Sequence, residues 1–187
     1  MIRGRHVGLR AIETDDLQSL LTWRNQPEFR RYFREYRELS NTHQQQWYNN
    51  KVVNDPSTRM FSIVDAGSGN LLGACGLCYI DWINRTADFS IYIGHDHLYI
   101  DDVYAVDAGI QLLKYGFEEL ALHRIWCEIY DFDESKKKFL PRLGFTLDGR
   151  HRQTHWAEGA WHDSLFYGVL IDEFSQEQIE TRTSGAS

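Results

Sequence analysis

The sequence contains little cysteine, proline or methionine: three, three and two residues among 187. An odd number of cysteines this small is insufficient for a disulfide framework. No run of about 18 apolar residues is present, which is the length that a membrane-spanning helix requires. Residues 1–6 also lack the apolar stretch of a signal peptide. We therefore predict a cytoplasmic protein that has no membrane partner.

A concentrated patch of positive charge is also missing. The formal net charge is −7, and the basic residues are scattered along the chain, so a nucleic-acid partner is not expected. The 42% hydrophobic and 14% aromatic content fits a single compact domain with a substantial core. We place that domain at residues 1–174 and predict that residues 175–187, which are polar, form a C-terminal tail.

The apolar periodicity predicts a mixed α/β fold. Period-two patterns indicate strands, and apolar residues spaced three and four apart indicate helices. The order of these elements is strand, two or three helices, three strands, helix, strand, helix and two strands. The predicted strands cover residues 6–12, 60–65, 71–80, 86–93, 124–130, 145–152 and 161–171, and the predicted helices cover residues 17–25, 29–36, 41–50, 103–120 and 134–143.

No metal site is predicted. Cys75 and Cys78 form a C-x-x-C pattern, but residues three apart on a strand face opposite ways, so these thiols should not meet. His95 and His97 flank Asp96 beyond a predicted strand, and ordinary loop histidines are a better interpretation of them than proton relays or metal ligands.

Five segments, found in this order, together resemble the GNAT superfamily of N-acetyltransferases, in the branch that acetylates ribosomal proteins and amino-sugars. The resemblance covers nearly the whole chain and implies the GNAT fold. In that fold a central, mostly antiparallel sheet of about seven strands contains one splayed parallel pair, and helices cover both faces. The segments are residues 9–16 leading to Trp23-Arg24-Asn25, residues 80–94, the stretch LLKYGFEELALHRI at 112–125, residues 143–145 and residues 159–163.

The resemblance also implies that acetyl-CoA is the cofactor. The splayed strands would be residues 86–93 and 124–130, whose unpaired backbone groups bind the pantetheine arm. The pyrophosphate would lie on the N-terminus of the following helix, where free amides favour an anion. The residues assigned to the cofactor on this basis are Ile91, Tyr92, Ile93, Ile100, Val103, Tyr104, Ala105, Asp133 and Lys138.

Four positions depart from the family pattern. Asp101 and Asp102 stand in the pyrophosphate loop, where carboxylates repel phosphate, although acidic residues also stabilise a helix start. Asp133 replaces an asparagine that bonds the coenzyme arm, and Leu140 replaces a tyrosine that protonates the leaving thiolate. A leucine has no proton to donate. The run of lysines at 136–138 would either offset the lost attraction or form an ordinary solvated helix face.

Two residues are assigned to catalysis. Asp88 stands where the branch often has glutamate and is the candidate base that accepts a proton from the amine; the alternative is a structural pair with Arg85. Tyr130 is the candidate proton donor to the thiolate, with water as the alternative.

Trp23, Arg24 and Asn25 are assigned to the acceptor, because an aromatic face and a guanidinium suit a sugar ring and a phosphate. The predicted activity is therefore acetyl transfer to a primary amine on a small molecule or nucleotide-linked amino-sugar. The alternatives are a protein N-terminal acetyltransferase and a catalytically idle GNAT-fold binding module. A homodimer is left open beside a monomer.

Overall fold

A computed structural model describes residues 1–175 of the chain. The fold is mixed α/β, as predicted, and among the described residues no helix is long and apolar enough to cross a membrane. The predicted tail lies outside the described residues, except for Ser175. The strands are β1 (Ile2–Arg3), β2 (Val7–Ala11), β3 (Arg59–Asp65), β4 (Leu71–Asp81), β5 (Thr86–Ile93), β6 (Arg124–Tyr130), β7 (Thr146–Ala157) and β8 (Ala160–Leu170), and the α-helices are α1 (Leu17–Asn25), α2 (Pro27–Arg30), α3 (Asn41–Trp47), α4 (Tyr104–Lys114) and α5 (Glu134–Arg142).

The eight strands within residues 1–175 form one sheet, in the order β1-β2-β3-β4-β5-β6-β8-β7. Every neighbouring pair is antiparallel except β5 and β6, which run parallel. The register of this parallel pair ends at Asp88 opposite Trp126. Beyond that point the two strands separate, so the splayed pair that the sequence predicted is present.

Helices cover both faces of the sheet. The alternation of β5 directs Ala87, Phe89 and Ile91 into a core shared with α4 and α5. On the opposite face, Tyr92 packs in a second core with α1 and α2. Asp88 and Tyr92 thus belong to the same face of the sheet, the face that α1 and α2 cover.

The observed elements differ from the prediction in four places, one of which is β7, which ends at Ala157 instead of residue 152. The sheet has eight strands instead of about seven, because residues 2–3 pair with β2. The second helix ends at Arg30, well before residue 36, and the chain then forms a loop, residues 31–40. The predicted helices at 41–50 and 103–120 each end in a π-helical turn, Tyr48–Val53 and Tyr115–Glu119.

Capping explains where two of these helices start. Pro27 occupies the first turn of α2, where its missing N–H costs nothing. The Ser40 hydroxyl accepts a hydrogen bond from the backbone N–H of His43 and caps α3.

Candidate active site

A cleft of about 290 Å³ opens where β5 and β6 part. We call it the acceptor cleft. Strand β5 supplies Asp88, Phe89 and Ser90 to its wall, and β6 supplies Glu128 and Tyr130. The loop at residues 31–40 covers it from one side, and α5 closes it from the other. The remaining lining residues are Arg24, Tyr32, Phe33, Arg34, Glu35, Trp47, Lys51, Thr58, Met60, Cys78, Tyr79, Cys127 and Lys136.

Two carboxylates in the acceptor cleft share one guanidinium. Arg34 donates from Nη1 to Oδ2 of Asp88 at 2.6 Å and from Nε to Oε2 of Glu128 at 3.0 Å. The Ser164 hydroxyl donates to the other oxygen of Glu128 at 2.6 Å. Asp88 is buried, whereas the Arg34 side chain is 42% exposed. The partner of Asp88 is therefore Arg34, and the predicted pairing with Arg85 is wrong.

The electrostatics of this cluster are set by burial and by the shared cation. Burial raises the pKa of the Asp88 carboxyl, and the Arg34 guanidinium limits the rise. Burial would by itself lower the pKa of Arg34, but the carboxylates of Asp88 and Glu128 raise it above its ordinary value. The cleft therefore offers two acids around a position that is suited to a cation.

Tyr130, the predicted proton donor, lies at the end of β6 and lines the same cleft. Its ring stacks on His155, with the ring centres 3.6 Å apart. Burial raises the pKa of the Tyr130 hydroxyl to about 12. The phenol thus keeps its proton at neutral pH and remains able to donate it.

The backbone of β5 is only partly free at the cleft. Ile93 exchanges both of its backbone hydrogen bonds with Tyr99, at 2.8 and 2.9 Å. Because backbone groups alternate along a strand, Ile91 directs its N–H and C=O to the same open side, whereas those of Tyr92 face β4. Of the three residues predicted to hold the pantetheine arm, only Ile91 presents a free backbone there.

The predicted pyrophosphate site is filled by a side chain of the protein itself. The carboxylate of Asp101 turns back onto the start of α4 and accepts hydrogen bonds from three backbone amides. These belong to Val103 at 2.9 Å, Tyr104 at 2.8 Å and Ala105 at 2.7 Å. The Asp102 carboxylate instead contacts Arg142 on α5. The anion-binding amides predicted at this helix start are thus present, but Asp101 occupies them.

Asp133 and Tyr99 form a second internal link beside the cleft. The Tyr99 hydroxyl donates to Oδ2 of Asp133 at 2.6 Å, and Oδ1 of Asp133 accepts from the Lys136 backbone N–H at 2.9 Å, which caps α5. Asp133 is 2% exposed, and both of its carboxylate oxygens accept these internal hydrogen bonds; its contact with the coenzyme stays a prediction. Ile100, which precedes α4 in the chain, packs against both cores.

Lys136 faces the acceptor cleft, and Lys138 does not. Lys138 is exposed on α5, whereas the Lys136 ammonium lies 5.5 Å from the centre of the Tyr99 ring and lines the cleft. The helical spacing indicates that Lys136 points inward, because it precedes the buried Leu140 by four positions and so lies on the same face of α5.

The three residues predicted to bind the acceptor separate into different roles. The Trp23 ring packs on Gly94, where an added Cβ would lie 2.0 Å from the Cδ2 atom of Trp23. Asn25 donates to the Leu39 carbonyl and accepts from the Leu39 N–H, both at 2.8 Å. Arg24 alone of the three lines the acceptor cleft.

The two bonds of Asn25 fasten the loop at residues 31–40 to the end of α1. We expect Asn25→Ala to lower the free energy of unfolding by roughly 1 to 2 kcal/mol, because two partly buried backbone groups lose their partner. Denaturant titration measures this, with Asn50→Ala on the exposed surface as the control. An unchanged stability combined with a raised KM for the acceptor would contradict the structural role.

The site suits the acetyl end of acetyl-CoA, but Asp101 occupies the amides that are predicted to bind the pyrophosphate. The acceptor cleft and the free backbone of Ile91 suit the acetyl group and pantetheine arm. The amides at the start of α4 suit the pyrophosphate, but only after Asp101 withdraws from them. The residues present therefore fit the cofactor, provided that this loop rearranges.

Comparisons with known proteins agree with this geometry. The family model described as the acetyltransferase (GNAT) domain matches residues 6–146, so the chain belongs to the GNAT acetyltransferases. The predicted N-acetyltransferase class and the predicted use of acetyl-CoA are confirmed by this membership.

Individual relatives are distant and cover most of the chain. The chain is 28% identical to the spermidine N(1)-acetyltransferase of Vibrio cholerae, across 89% of this chain and 94% of the relative. It is 25% identical to the uncharacterized N-acetyltransferase p20 of Bacillus licheniformis, across 89% and 94%. A crystal structure of the Vibrio cholerae spermidine enzyme with CoA and spermine shares the fold, with a TM-score of 0.82, 26% identity and coverage of 90% and 97%.

Proposed function

We propose that this protein transfers the acetyl group of acetyl-CoA to the primary amine of a small molecule, and that the transfer takes place in the acceptor cleft. One observation carries the proposal. Two carboxylates, Asp88 and Glu128, surround a cation beside the free edge of β5, with the protonated phenol of Tyr130 lining the same cleft. This set suits an amine that arrives charged and must lose a proton before it attacks.

Each residue then has a defined task. Acetyl-CoA, when bound, supplies the thioester carbonyl that the amine attacks. The Ile91 backbone positions the coenzyme arm. Glu128 holds the acceptor ammonium in the position that Arg34 occupies, and Asp88 takes up the proton that the ammonium loses before it attacks. The second proton, which the nitrogen loses after attack, replaces the one that Tyr130 gives to the sulfur. Tyr130 holds a proton at its hydroxyl for the departing sulfur, the task for which Leu140 has no chemical group.

Arg34 must release Asp88 when an acceptor binds. Its guanidinium is held by charged hydrogen bonds to the two carboxylates, and its side chain is 42% exposed. An acceptor ammonium forms the same charge-assisted bonds to the same carboxylates. Entry of the acceptor is therefore an exchange of one cation for another, which avoids leaving the two acids uncompensated.

The acceptor class extends to nucleotide-linked amino-sugars in this proposal, because Arg24 also lines the cleft. A protein N-terminus is not favoured, since the loop at residues 31–40 covers the cleft. One observation supports the alternative of an idle binding module: Asp101 occupies the backbone amides at the start of α4. Coenzyme binding decides between that module and the enzyme.

We further propose that residues 1–174 act as one catalytic domain in the cytoplasm, as a monomer or a homodimer. Cys75, Cys78 and Cys127 are free thiols, which accords with a reducing compartment. Sedimentation of the purified chain would distinguish the two assembly states.

Acetyl-CoA should stabilise the folded protein. A ligand at a hundredfold excess over its Kd adds about 2.7 kcal/mol to the free energy of unfolding, and thermal denaturation with and without the coenzyme measures the resulting rise in Tm. Adenosine alone is the control ligand, because it lacks the pyrophosphate and the arm. If millimolar acetyl-CoA left the Tm unchanged, the enzyme proposal would fail and the idle module would stand.

A further inference from the structure

A guanidinium without an ion-pair partner lies half-buried beside the acceptor cleft. Arg24 lies in the last turn of α1, and its Nε is buried with no hydrogen bond. Within residues 1–175 its guanidinium makes no ion pair, and it lies 4.1 Å from the centre of the Phe33 ring. Burial lowers the pKa of Arg24, but an arginine stays charged in proteins. A half-buried charge of this kind is costly unless something compensates it.

Glu35 interacts electrostatically with Arg24 but is paired with a second arginine. A second cavity of about 270 Å³, the Arg24 cavity, is lined by Arg24 and by Glu35, Arg37 and His43. Arg37 donates to both oxygens of Glu35, at 2.8 and 2.5 Å, and holds the pKa of that carboxyl at about 2. The charges of Glu35 and Arg37 cancel each other. With His43 counted as neutral, the Arg24 guanidinium therefore gives this cavity one net positive charge.

The Arg24 cavity also contains neutral donors and connects with the acceptor cleft. Gln44, which is 5% exposed, and Gln46 contribute side-chain amides to its wall. Ser90 on β5 lines both spaces, and Tyr92, two residues further along β5, belongs to the Arg24 cavity. At about 3.3 Å per strand residue, the Arg24 cavity begins roughly 7 Å beyond Asp88 and extends to roughly 13 Å.

We propose that the Arg24 cavity binds a singly charged oxyanion carried by the acceptor, either a carboxylate or a phosphodiester. This inference rests on the proposed acetyl transfer in the adjoining cleft. An oxyanion accepts parallel hydrogen bonds from a guanidinium, and a single negative charge matches the single uncompensated positive one. The acceptor is then a zwitterion whose amine meets Asp88 and Glu128 while its anion meets Arg24. A polyamine, whose charges are all positive, is disfavoured in this cavity.

Matched acceptors test the proposal directly. With wild-type protein and acetyl-CoA, ε-aminocaproate or an aminohexyl phosphodiester should be acetylated with a kcat/KM roughly ten- to hundredfold above that of n-hexylamine. Arg24→Gln should bring this ratio close to one, and Arg24→Lys should retain part of it. Arg5→Gln, which removes an exposed positive charge elsewhere, should leave the ratio unchanged. The better of the two anionic acceptors identifies which oxyanion the site prefers.

Two further measurements need no turnover. Caproate, which has no amine, should raise the Tm of the wild-type protein and not that of Arg24→Gln. Without any ligand, Arg24→Gln should be at least as stable as the wild type, because it removes a half-buried charge that has no ion-pair partner. A clear loss of stability would assign Arg24 to the core and overturn the proposal.

The outcomes separate the two proposals. Preference for n-hexylamine or spermidine over both anionic acceptors, or an unchanged preference in Arg24→Gln, overturns the oxyanion site and leaves acetyl transfer intact. If no amine is acetylated although the coenzyme binds, acetyl transfer fails, and the caproate measurement alone then decides for or against the Arg24 cavity.

Discussion

Asp88→Asn should reduce turnover at saturating acetyl-CoA by roughly 10²-fold or more, while the affinity for the coenzyme stays the same. The substitution keeps the shape of the side chain and removes its ability to accept a proton. It also removes one of the two carboxylates that we expect to bind the acceptor ammonium, so the KM for the amine should rise. Steady-state kinetics with a primary amine separate the two effects.

The pH profile provides an independent readout of the same residue. A base accepts a proton only when it is ionised, so wild-type kcat should fall as the pH drops through the Asp88 pKa in the complex. Burial raises that pKa, which moves the acid limb to a higher pH than an exposed aspartate would give. The limb should disappear in Asp88→Asn and return in Asp88→Glu.

Glu38→Gln is the matched control for this experiment. Glu38 is an exposed carboxylate of the loop at residues 31–40, which also carries Arg34, and it lies 2.6 Å from Arg30, so its loss should leave turnover unchanged. If Asp88→Asn retained full turnover, its assignment as the base would be wrong. If Asp88→Asn instead lost folding stability in proportion to activity, the ion pair with Arg34 would be its main role.

Asp101→Gly should have the second large effect, with opposite signs on two quantities. It frees the three amides at the start of α4 for the pyrophosphate and removes a repelling charge. Coenzyme affinity should therefore rise by roughly tenfold to thirtyfold. The free protein should lose roughly 1 kcal/mol of stability, because the same amides lose their cap and glycine is more flexible when unfolded. Calorimetry and denaturant titration measure the two changes.

Asp102→Asn serves as the control for Asp101→Gly. Both substitutions remove one negative charge from the same loop, but Asp102 caps no amide and contacts Arg142. Its removal should change coenzyme affinity by less than about threefold after screening at physiological salt. Unchanged or weaker binding in Asp101→Gly would show that this loop does not face the pyrophosphate.

The sequence predicted the sheet more accurately than the site. The bounds of β5 and β6 match the predicted strands because each carries a run of apolar and β-branched residues that ends at polar residues. Helix α1 ends at Asn25 because Pro27 disfavours helical backbone geometry at the residue before it, Gln26, which is extended. These signals are local, and a single window of sequence contains them.

The site depends on contacts between distant residues, which no local pattern records. Arg34 reaches Asp88 across 54 positions of sequence, so the nearer Arg85 was the natural choice from sequence alone. Asp101 caps the adjacent helix start, but sequence cannot show whether its carboxylate faces those amides or the solvent. Lys136 is the exception, since its helical phase relative to Leu140 already indicated a buried position.

Acetyl transfer to amines in the acceptor cleft is tested most directly by following both products of one reaction. Purified protein is mixed with acetyl-CoA and ε-aminocaproate, n-hexylamine or spermidine; the free coenzyme thiol is measured together with the mass of the amine. We predict release of thiol that depends on the amine, in equal amount to an N-acetylated product, and a loss of both in Asp88→Asn. Saturable coenzyme binding without amine-dependent thiol release from any of the three acceptors would contradict the claim.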